Sequence, residues 1–346
     1  MDTVFFPPEW HEQSAIQLTW PHASSDWDYM LQEVTACFVT LAREILERQH
    51  LIVVCQNLET VRMSLKDTNI DNLTLIELES NDTWARDHSP LSVFIDGKPT
   101  IYDFTFNGWG LKFPSNFDNQ IGKNLFSRGV FSSNVAYRNK KDFVLEGGAI
   151  ESDGKGTLLT TGECLLSPNR NSYFTKEQIE DYLKNNFGLE RVLWLDYGYL
   201  SGDDTDSHID TLARFCDERT IAYVKCYDSK DEHYESLHKM EEQLKSFTDY
   251  EGNPYKLVPL PLPNAIYDNE GQRLPATYAN FLIMNKAILL PVYDNNEEKN
   301  KIAIEALGNI FPSREIIPVN CTPLIQQHGS LHCVTMQYPA GFIQTI

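Results

Sequence analysis

Five residues whose side chains could carry out chemistry stand apart in the sequence, each in a short polar or glycine-rich segment. Asp87 lies in DTWARDHSP, Glu146 in LEGGA, His208 and Asp210 in SGDDTDSHID, and Cys333 in QHGSLHCVTMQ. A histidine or a bound cation favours the reactive thiolate of a cysteine, whereas nearby carboxylates alone oppose its formation. The set therefore makes sense if a cation binds among the carboxylates, and the planar cation that two carboxylates grip through paired hydrogen bonds is a guanidinium.

Such a set of groups could hydrolyse a guanidinium. Cys333 would attack its central carbon while His208 delivered a proton to the departing ammonia. Water deprotonated by His208 would then hydrolyse the thiouronium intermediate on the sulfur. The residues involved are far apart in the chain, so the fold must bring them together.

Turn residues between strand-like runs predict four β-hairpins. The turns lie at Asp96-Gly97, Asp153-Gly154, Asp217-Glu218 and Asn285-Lys286. They are about 57, 64 and 68 residues apart, and the intervals hold a helical pattern followed by an apolar strand. The predicted helices span 120–126, 176–187 with Thr175 as N-cap, 232–247 and 300–311, and the predicted strands span 132–138, 191–197, 255–263 and 315–321.

The N-terminal region shows the same order without its own hairpin. A strand at 16–20, a helix at 28–49 and a strand at 51–55 follow one another, and the C-terminal strand 330–338, which includes Cys333, could complete the unit. Five such ββαβ modules predict a closed ring, because a module that cannot bury its own face must stack on a neighbour. We expect one domain over 1–346. Two separate α/β domains are the alternative, with the proline-rich segment 258–265 as the nearest linker candidate.

Composition and charge exclude several classes of protein. The 346 residues include 29 Lys and Arg against 49 Asp and Glu, a net charge of −20 that opposes general binding of nucleic acid or anionic lipid. Seven cysteines without paired spacing argue against a disulfide framework or a zinc ribbon. The N-terminus lacks a secretion signal, and the apolar runs are too short for a membrane span. We expect a cytoplasmic protein.

The motifs quoted above, together with FNGWG at 106–110, resemble in order and spacing the agmatine deiminase and bacterial peptidylarginine deiminase-like family. That resemblance implies the pentein fold, a five-bladed α/β propeller of ββαβ modules with pseudo-five-fold symmetry. The family's roles carry over as nucleophile for Cys333 and general acid and base for His208. Asp87, Glu146 and Asp210 match the carboxylates that hold the guanidinium.

The resemblance also places three residues around the substrate, namely Trp84, Trp109 and Asp204. The cysteine segment departs from the family's usual Gly-Gly-Gly-Asn-Ile-His-Cys and here is His-Gly-Ser-Leu-His-Cys at 328–333. The family resemblance implies hydrolysis of agmatine to N-carbamoylputrescine and ammonia. It also implies a small cationic guanidino compound as substrate and no metal or organic cofactor. A homodimer is a further expectation.

The sequence is also compatible with other substrates and functions. Free or peptide-terminal arginine as substrate would need a cation for its carboxylate, and Arg86 is the motif-adjacent candidate, although a structural ion pair suits it as well. A second alternative is an enzyme that transfers the amidino group to an amine. A third is a non-catalytic pentein that binds a cation or a partner protein. Asp203 and Asp206 could be turn caps or ligands, and the other six cysteines are expected in the core.

Overall fold

The fold is mixed α/β, and the computed structural model describes residues 3–344. The strands are β1 (Val4–Phe5), β2 (Gln13–Thr19), β3 (His50–Cys55), β4 (Leu73–Glu77), β5 (Leu91–Ile95), β6 (Lys98–Thr105), β7 (Ala136–Val144), β8 (Ile150–Ser152), β9 (Thr157–Thr161), β10 (Arg191–Leu195), β11 (Ala213–Asp217), β12 (Thr220–Lys225), β13 (Lys256–Pro261), β14 (Leu282–Ile283), β15 (Ala287–Val292), β16 (Glu315–Asn320) and β17 (Thr335–Pro339). The helices are α1 (Leu31–Leu46), α2 (Leu58–Ser64), α3 (Ala85–His88), α4 (Gly108–Leu111), α5 (Ile121–Ser127), α6 (Gly162–Leu165), α7 (Lys176–Phe187), α8 (Tyr234–Ser246), α9 (Glu297–Ile310) and α10 (Thr322–Ile325).

The strands within 3–344 form five sheets with one repeated pattern. The sheet orders are β1-β5-β6-β7, β10-β9-β8, β11-β12-β13, β14-β15-β16 and β17-β2-β3-β4. Each contains an antiparallel pair followed by a parallel neighbour, and a longer helix connects the two parallel strands. The predicted hairpin, helix and strand order is confirmed, and so is the pairing of the C-terminal strand β17 with β2.

Local sequence explains why the elements begin and end where they do. Asp96 and Gly97 both have positive φ, 49° and 74°, as a tight two-residue hairpin turn requires. The predicted cap at Thr175 is confirmed, since its side chain accepts from the Gln178 backbone N–H in a capping box. Gly188 ends the same helix with a φ of 67°, the left-handed conformation that glycine adopts readily.

Apolar residues of the sheets and helices form two large buried clusters. One is built mainly on the sheets of β2, β11 and β15, and the other on those of β5 and β9. The six cysteines other than Cys333 are buried and free, as expected for core residues. None of the helices within 3–344 is long and apolar enough to cross a membrane.

Candidate active site

The predicted chemical residues occupy equivalent places in different modules. Asp87 lies on α3 just before β5, and Glu146 precedes a short 3-10 turn that leads into β8. His208 and Asp210 stand just before β11. Placing Cys333 within the closing strand was wrong, because residues 331–334 form a turn and β17 begins at Thr335. Cys333 therefore also stands just ahead of its hairpin strand, like the other four.

Cys333 lies between Asp210 and Asn280. Its Sγ is 3.4 Å from Asn280 Oδ1 and 3.9 Å from Asp210 Oδ2. Burial, together with the Asp210 and Asp87 carboxylates, raises the pKa of the Cys333 thiol well above its ordinary value. The sulfur is accordingly a thiol until a cation approaches it.

Asp87 and His208 form a buried pair beside that thiol. His208 Nδ1 is 3.6 Å from Asp87 Oδ1, which also accepts from the Gly148 backbone N–H at 3.0 Å. Trp109 Nε1 donates to Asp87 Oδ2 at 2.9 Å. Burial raises the pKa of Asp87 to about 6. Burial alone would lower the pKa of His208, but Asp87, Cys164 and Glu146 raise it well above its ordinary value.

Glu146 is fully buried and paired with an arginine that the sequence motifs did not reveal. Arg170 Nε donates to both Glu146 oxygens, at 3.0 and 3.1 Å, and its Nη1 meets Asp206 Oδ2 at 2.5 Å. Asp206 is thus an ion-pair residue, whereas Asp203 caps the turn by accepting from the backbone N–H of Thr205. Arg170 ties the Glu146 segment to the turn that carries His208.

Several buried polar atoms of the site have no protein hydrogen-bond partner among the described residues. They are both ring nitrogens of His208 and Oδ1 of Asp210. A buried polar group without a partner costs free energy, and a ligand or a catalytic role is one explanation for such a group. A planar donor such as a guanidinium would satisfy Asp210 Oδ1.

A narrow pocket leads to Cys333. Its lining is aromatic and acidic, and consists of Asp26, Asp82, Trp84, Asp87, Trp109, Phe113, Asp204, Thr205, Gln327, His328, Gly329 and Cys333. Trp84, Trp109 and Asp204, the three residues predicted around the substrate, are therefore brought together here. His208, Glu146 and Asp210 do not line it and lie buried behind it.

Two backbone features shape the pocket. The segment Gly108–Leu111 has positive φ at every residue, 67°, 55°, 83° and 68°, and this turn presents the Trp109 indole towards Asp87. Gly329 lies flat against Trp84, since a Cβ there would stand 2.2 Å from the indole ring. Both tryptophan positions therefore depend on glycine-containing loops.

Two carboxylates, Asp82 and Asp204, form the acidic rim of the pocket, and burial disfavours their charged forms. Burial raises the pKa of Asp82 to about 6, and burial also raises that of Asp204 to about 6 against the opposing influence of His328. A cationic group bound between them would favour their charged forms. Of the residues that line this pocket, none is lysine or arginine.

Three further residues complete the site, and the sequence prediction missed them. Asn280 precedes β14 as the other site residues precede their hairpins, so the equivalence of modules could have found it. Glu9 and Arg170 have no comparable signal, since neither lies in a recognisable motif. Arg86, the alternative carboxylate binder, points away from the pocket, with its Nη2 3.7 Å from Glu9 Oε2.

Two buried groups of side chains have the composition of metal ligands within 3–344. One comprises Glu146, Cys164 and His208 and the other Glu9, Glu151 and His332, each with its ligand atoms within 4.8 Å of one another. In both groups an arginine already forms ion pairs with the carboxylates, Arg170 in the first group and Arg214 in the second. A cation would have to displace that guanidinium.

Comparison with known proteins identifies the family of this chain. The family model described as Porphyromonas-type peptidyl-arginine deiminase matches residues 5–339. A solved structure from Porphyromonas gingivalis, provisionally named an arginine deiminase, is 53% identical over 99% of this chain and 100% of that one, with a TM-score of 0.95.

Relatives named for agmatine are similar over nearly their full length. A substrate-bound cysteine-to-serine variant of the C. jejuni agmatine deiminase is 38% identical, covers 97% of this chain and 96% of its own, and has a TM-score of 0.90. A protein of Vibrio parahaemolyticus provisionally named agmatine deiminase is 34% identical over 98% of both chains. The chain belongs to the Porphyromonas-type peptidyl-arginine deiminase family.

Proposed function

We propose that the chain is an agmatine deiminase, which hydrolyses agmatine to N-carbamoylputrescine and ammonia through a thiouronium on Cys333. The observation that carries this proposal is the acidic pocket that leads to a buried thiol. The relatives named agmatine deiminase support the same reaction. We further propose one catalytic domain over 1–346, a closed pentein ring of five modules, and a reducing cytoplasm, which suits seven free thiols.

The rim of the pocket favours agmatine over arginine. Both compounds present a guanidinium, but agmatine ends in an amine, whereas free arginine adds a carboxylate at the same end. Asp82 and Asp204 would attract the amine and repel the carboxylate. Arg86 lies outside this pocket, and Lys112, which reaches the Asp204 backbone, is paired with Asp206 at 2.6 Å.

The first half of the reaction uses the raised pKa of Cys333. A guanidinium held by Asp87 and Asp210 places positive charge beside Sγ, which lowers the pKa of the thiol and frees its proton. The thiolate bonds to the central carbon, and protonated His208 gives its proton to one nitrogen. The C–N bond breaks, ammonia leaves, and a cationic thiouronium remains on Cys333.

The second half restores the enzyme. Neutral His208 takes a proton from water, and the oxygen bonds to the thiouronium carbon. The C–S bond then breaks, and the leaving thiolate takes the extra proton of the urea product, which restores the Cys333 thiol. The proton that the thiol released to solvent in the first half converts the departed ammonia to ammonium. Water is thus the only co-reactant, and Cys333 and His208 return to their starting forms.

The proposed function is tested by ammonia release from agmatine, free arginine and a peptide with C-terminal arginine, measured side by side. We expect agmatine to give the highest kcat/KM. Faster ammonia release from arginine or the peptide would refute agmatine as the substrate. No ammonia release from any of the three compounds would refute the deiminase activity.

The nucleophile is tested with Cys333→Ala. This variant should lose turnover and still bind agmatine in calorimetry, and wild-type enzyme quenched during turnover should carry the adduct on Cys333. Cys226→Ala, a buried thiol in the core, is the matched control and should keep its rate. An unchanged rate in Cys333→Ala would refute the assignment.

A further inference from the structure

A buried chain of charged groups stands behind Asp210, on the side away from the pocket. His332 Nδ1 is 2.7 Å from Asp210 Oδ2, and His332 Nε2 is 2.6 Å from Glu9 Oε2. Arg214 Nη2 donates to the same Glu9 oxygen at 2.8 Å, and its Nε meets Glu151. These side chains are at most 8% exposed. Glu9 therefore ties the N-terminal segment to the loop that carries Cys333.

The contacts define the protonation of the imidazole. An ionised carboxylate only accepts hydrogen bonds, so each short contact needs a proton on the nitrogen of His332. Burial alone would raise the pKa of Glu9, but Arg214 and His332 hold it far below its ordinary value. Burial would likewise raise the pKa of Asp210, but the hydrogen bond and charge of His332 lower it. Arg214 Nη2 also lies 3.1 Å from His332 Nε2, but it donates to Glu9 at the shorter distance of 2.8 Å, and the 2.6 Å contact of Nε2 with Glu9 is shorter still. With both carboxylates ionised, we therefore assign a proton to each nitrogen of His332.

The same contacts orient Asp210. His332 occupies Oδ2, which leaves Oδ1 buried and without a protein partner among the described residues. Asn280 fixes the backbone on both sides, since its Nδ2 donates to the Asp210 carbonyl at 3.3 Å and its Oδ1 accepts from the His332 N–H at 2.8 Å. The charged and titratable groups that face Asp210 are His332, His208, Arg214, Asp87, Arg86 and Cys333.

We propose that His332 is a positioning residue, an imidazolium anchored by Glu9 that holds Asp210 as an anion with Oδ1 turned towards the guanidinium. The role in turnover rests on the proposed function. The imidazolium itself does not, because it rests on the short contacts of its two ring nitrogens with Asp210 and Glu9 and on the ionisation of both carboxylates. A residue with a merely structural role would support the loop without setting the charge of Asp210.

The kinetic test is His332→Asn. Loss of a hydrogen bond to a charged group should lower kcat/KM for agmatine roughly 10- to 100-fold. Without its partner, buried Asp210 should take up a proton as the pH falls, so a second protonation joins that of Asp87. The acid limb of log kcat/KM against pH should steepen from a slope of about one towards two.

The matched control is His233→Asn, because His233 is also buried and its Nδ1 contacts Asp231 at 2.8 Å, outside the pocket. It should lower thermal stability and leave the acid limb unchanged. If His332→Asn also changes only the melting temperature, and the slope and kcat/KM stay as in wild type, the positioning role is refuted.

A second measurement does not depend on turnover. In protein labelled with 15N-histidine, the ring nitrogens of His332 should both carry protons near pH 7, and Glu9→Gln should remove one of them. A neutral His332 ring in wild type would overturn the proposal even if ammonia release were normal. Conversely, absent ammonia release with an intact imidazolium would refute the proposed function and not the protonation of His332.

Discussion

The hydrogen bond from Trp109 to Asp87 should set the acid limit of activity, and Trp109→Phe tests this. The substitution keeps an aromatic ring in the pocket and removes only the Nε1 donor, which is 2.9 Å from Asp87 Oδ2. A hydrogen bond to a charged group contributes about 1.5 to 3 kcal/mol. Since 1.36 kcal/mol corresponds to one pKa unit, its loss should raise the pKa of Asp87 by roughly one to two units.

The direction of the effect follows from the charge of the substrate. Asp87 must be ionised to hold a guanidinium, and its pKa of about 6 in the wild-type protein means that activity is lost as the pH falls through this value. In the variant the loss should begin at roughly pH 7 to 8. Near pH 6 the variant should therefore be about 5- to 50-fold slower than wild type in kcat/KM, and near pH 9 the two should converge.

The assay is the pH profile of kcat/KM for agmatine, which reports the ionisation of the free enzyme. Trp194→Phe is the matched control, since its Nε1 donates to Glu180 at 3.1 Å, outside the pocket. It should leave the acid limb in place. A uniform fall in the Trp109→Phe rates at all pH values, with an unshifted limb, would mean that the indole acts by packing and would refute the reasoning.

Three further substitutions test the rim, the pocket wall and the buried charges. Asp204→Asn should raise KM for agmatine about 5-fold with a smaller change in kcat, because it removes one half-buried anion from the rim, and an unchanged KM in steady-state kinetics would contradict this. Gly329→Ala should push Trp84 into the pocket and lower kcat/KM at least about 10-fold, whereas Gly308→Ala, with ample space around its Cβ, should not. Arg214→Met should lower the free energy of unfolding by about 3 to 5 kcal/mol in denaturant titration, since it leaves buried Glu151 without its cation and removes one of the cations beside buried Glu9, and a loss below about 1 kcal/mol would be too small for such a network.

The hairpins were predictable from sequence because their turn chemistry is local. Asp96-Gly97 takes up the left-handed conformations that a tight turn requires, whatever surrounds it. Two strands were missed for the opposite reason. β1 and β4 are short or partly exposed, and they exist because an edge of a sheet is available to them, β5 for β1 and β3 for β4. Such pairing depends on tertiary contacts.

The site was predictable only as far as its motifs reach. Asp87 and His208 could be grouped because each stands before a predicted hairpin, and Cys333 joined them through the strand predicted to close the ring. In the structure Asp87 contacts His208 and lines the same pocket as Cys333. Glu9 could not be found in this way. It lies 323 residues from its partner His332, and no turn or spacing marks a single carboxylate near the N-terminus. Its role becomes visible only when the buried charge that needs it is known.

The cost of burying these charges explains how one pocket can both select a substrate and activate its thiol. Burial raises the pKa of both groups, so without a cation the Cys333 thiol is protonated at neutral pH and the Asp87 carboxylate becomes protonated below about pH 6. A guanidinium lowers both pKa values at once, because it is attracted to the carboxylate and to the thiolate. Binding and activation are then one electrostatic event. The urea group of the product is neutral and provides no such charge, so the thiol regains its proton and the affinity of the site for the product falls.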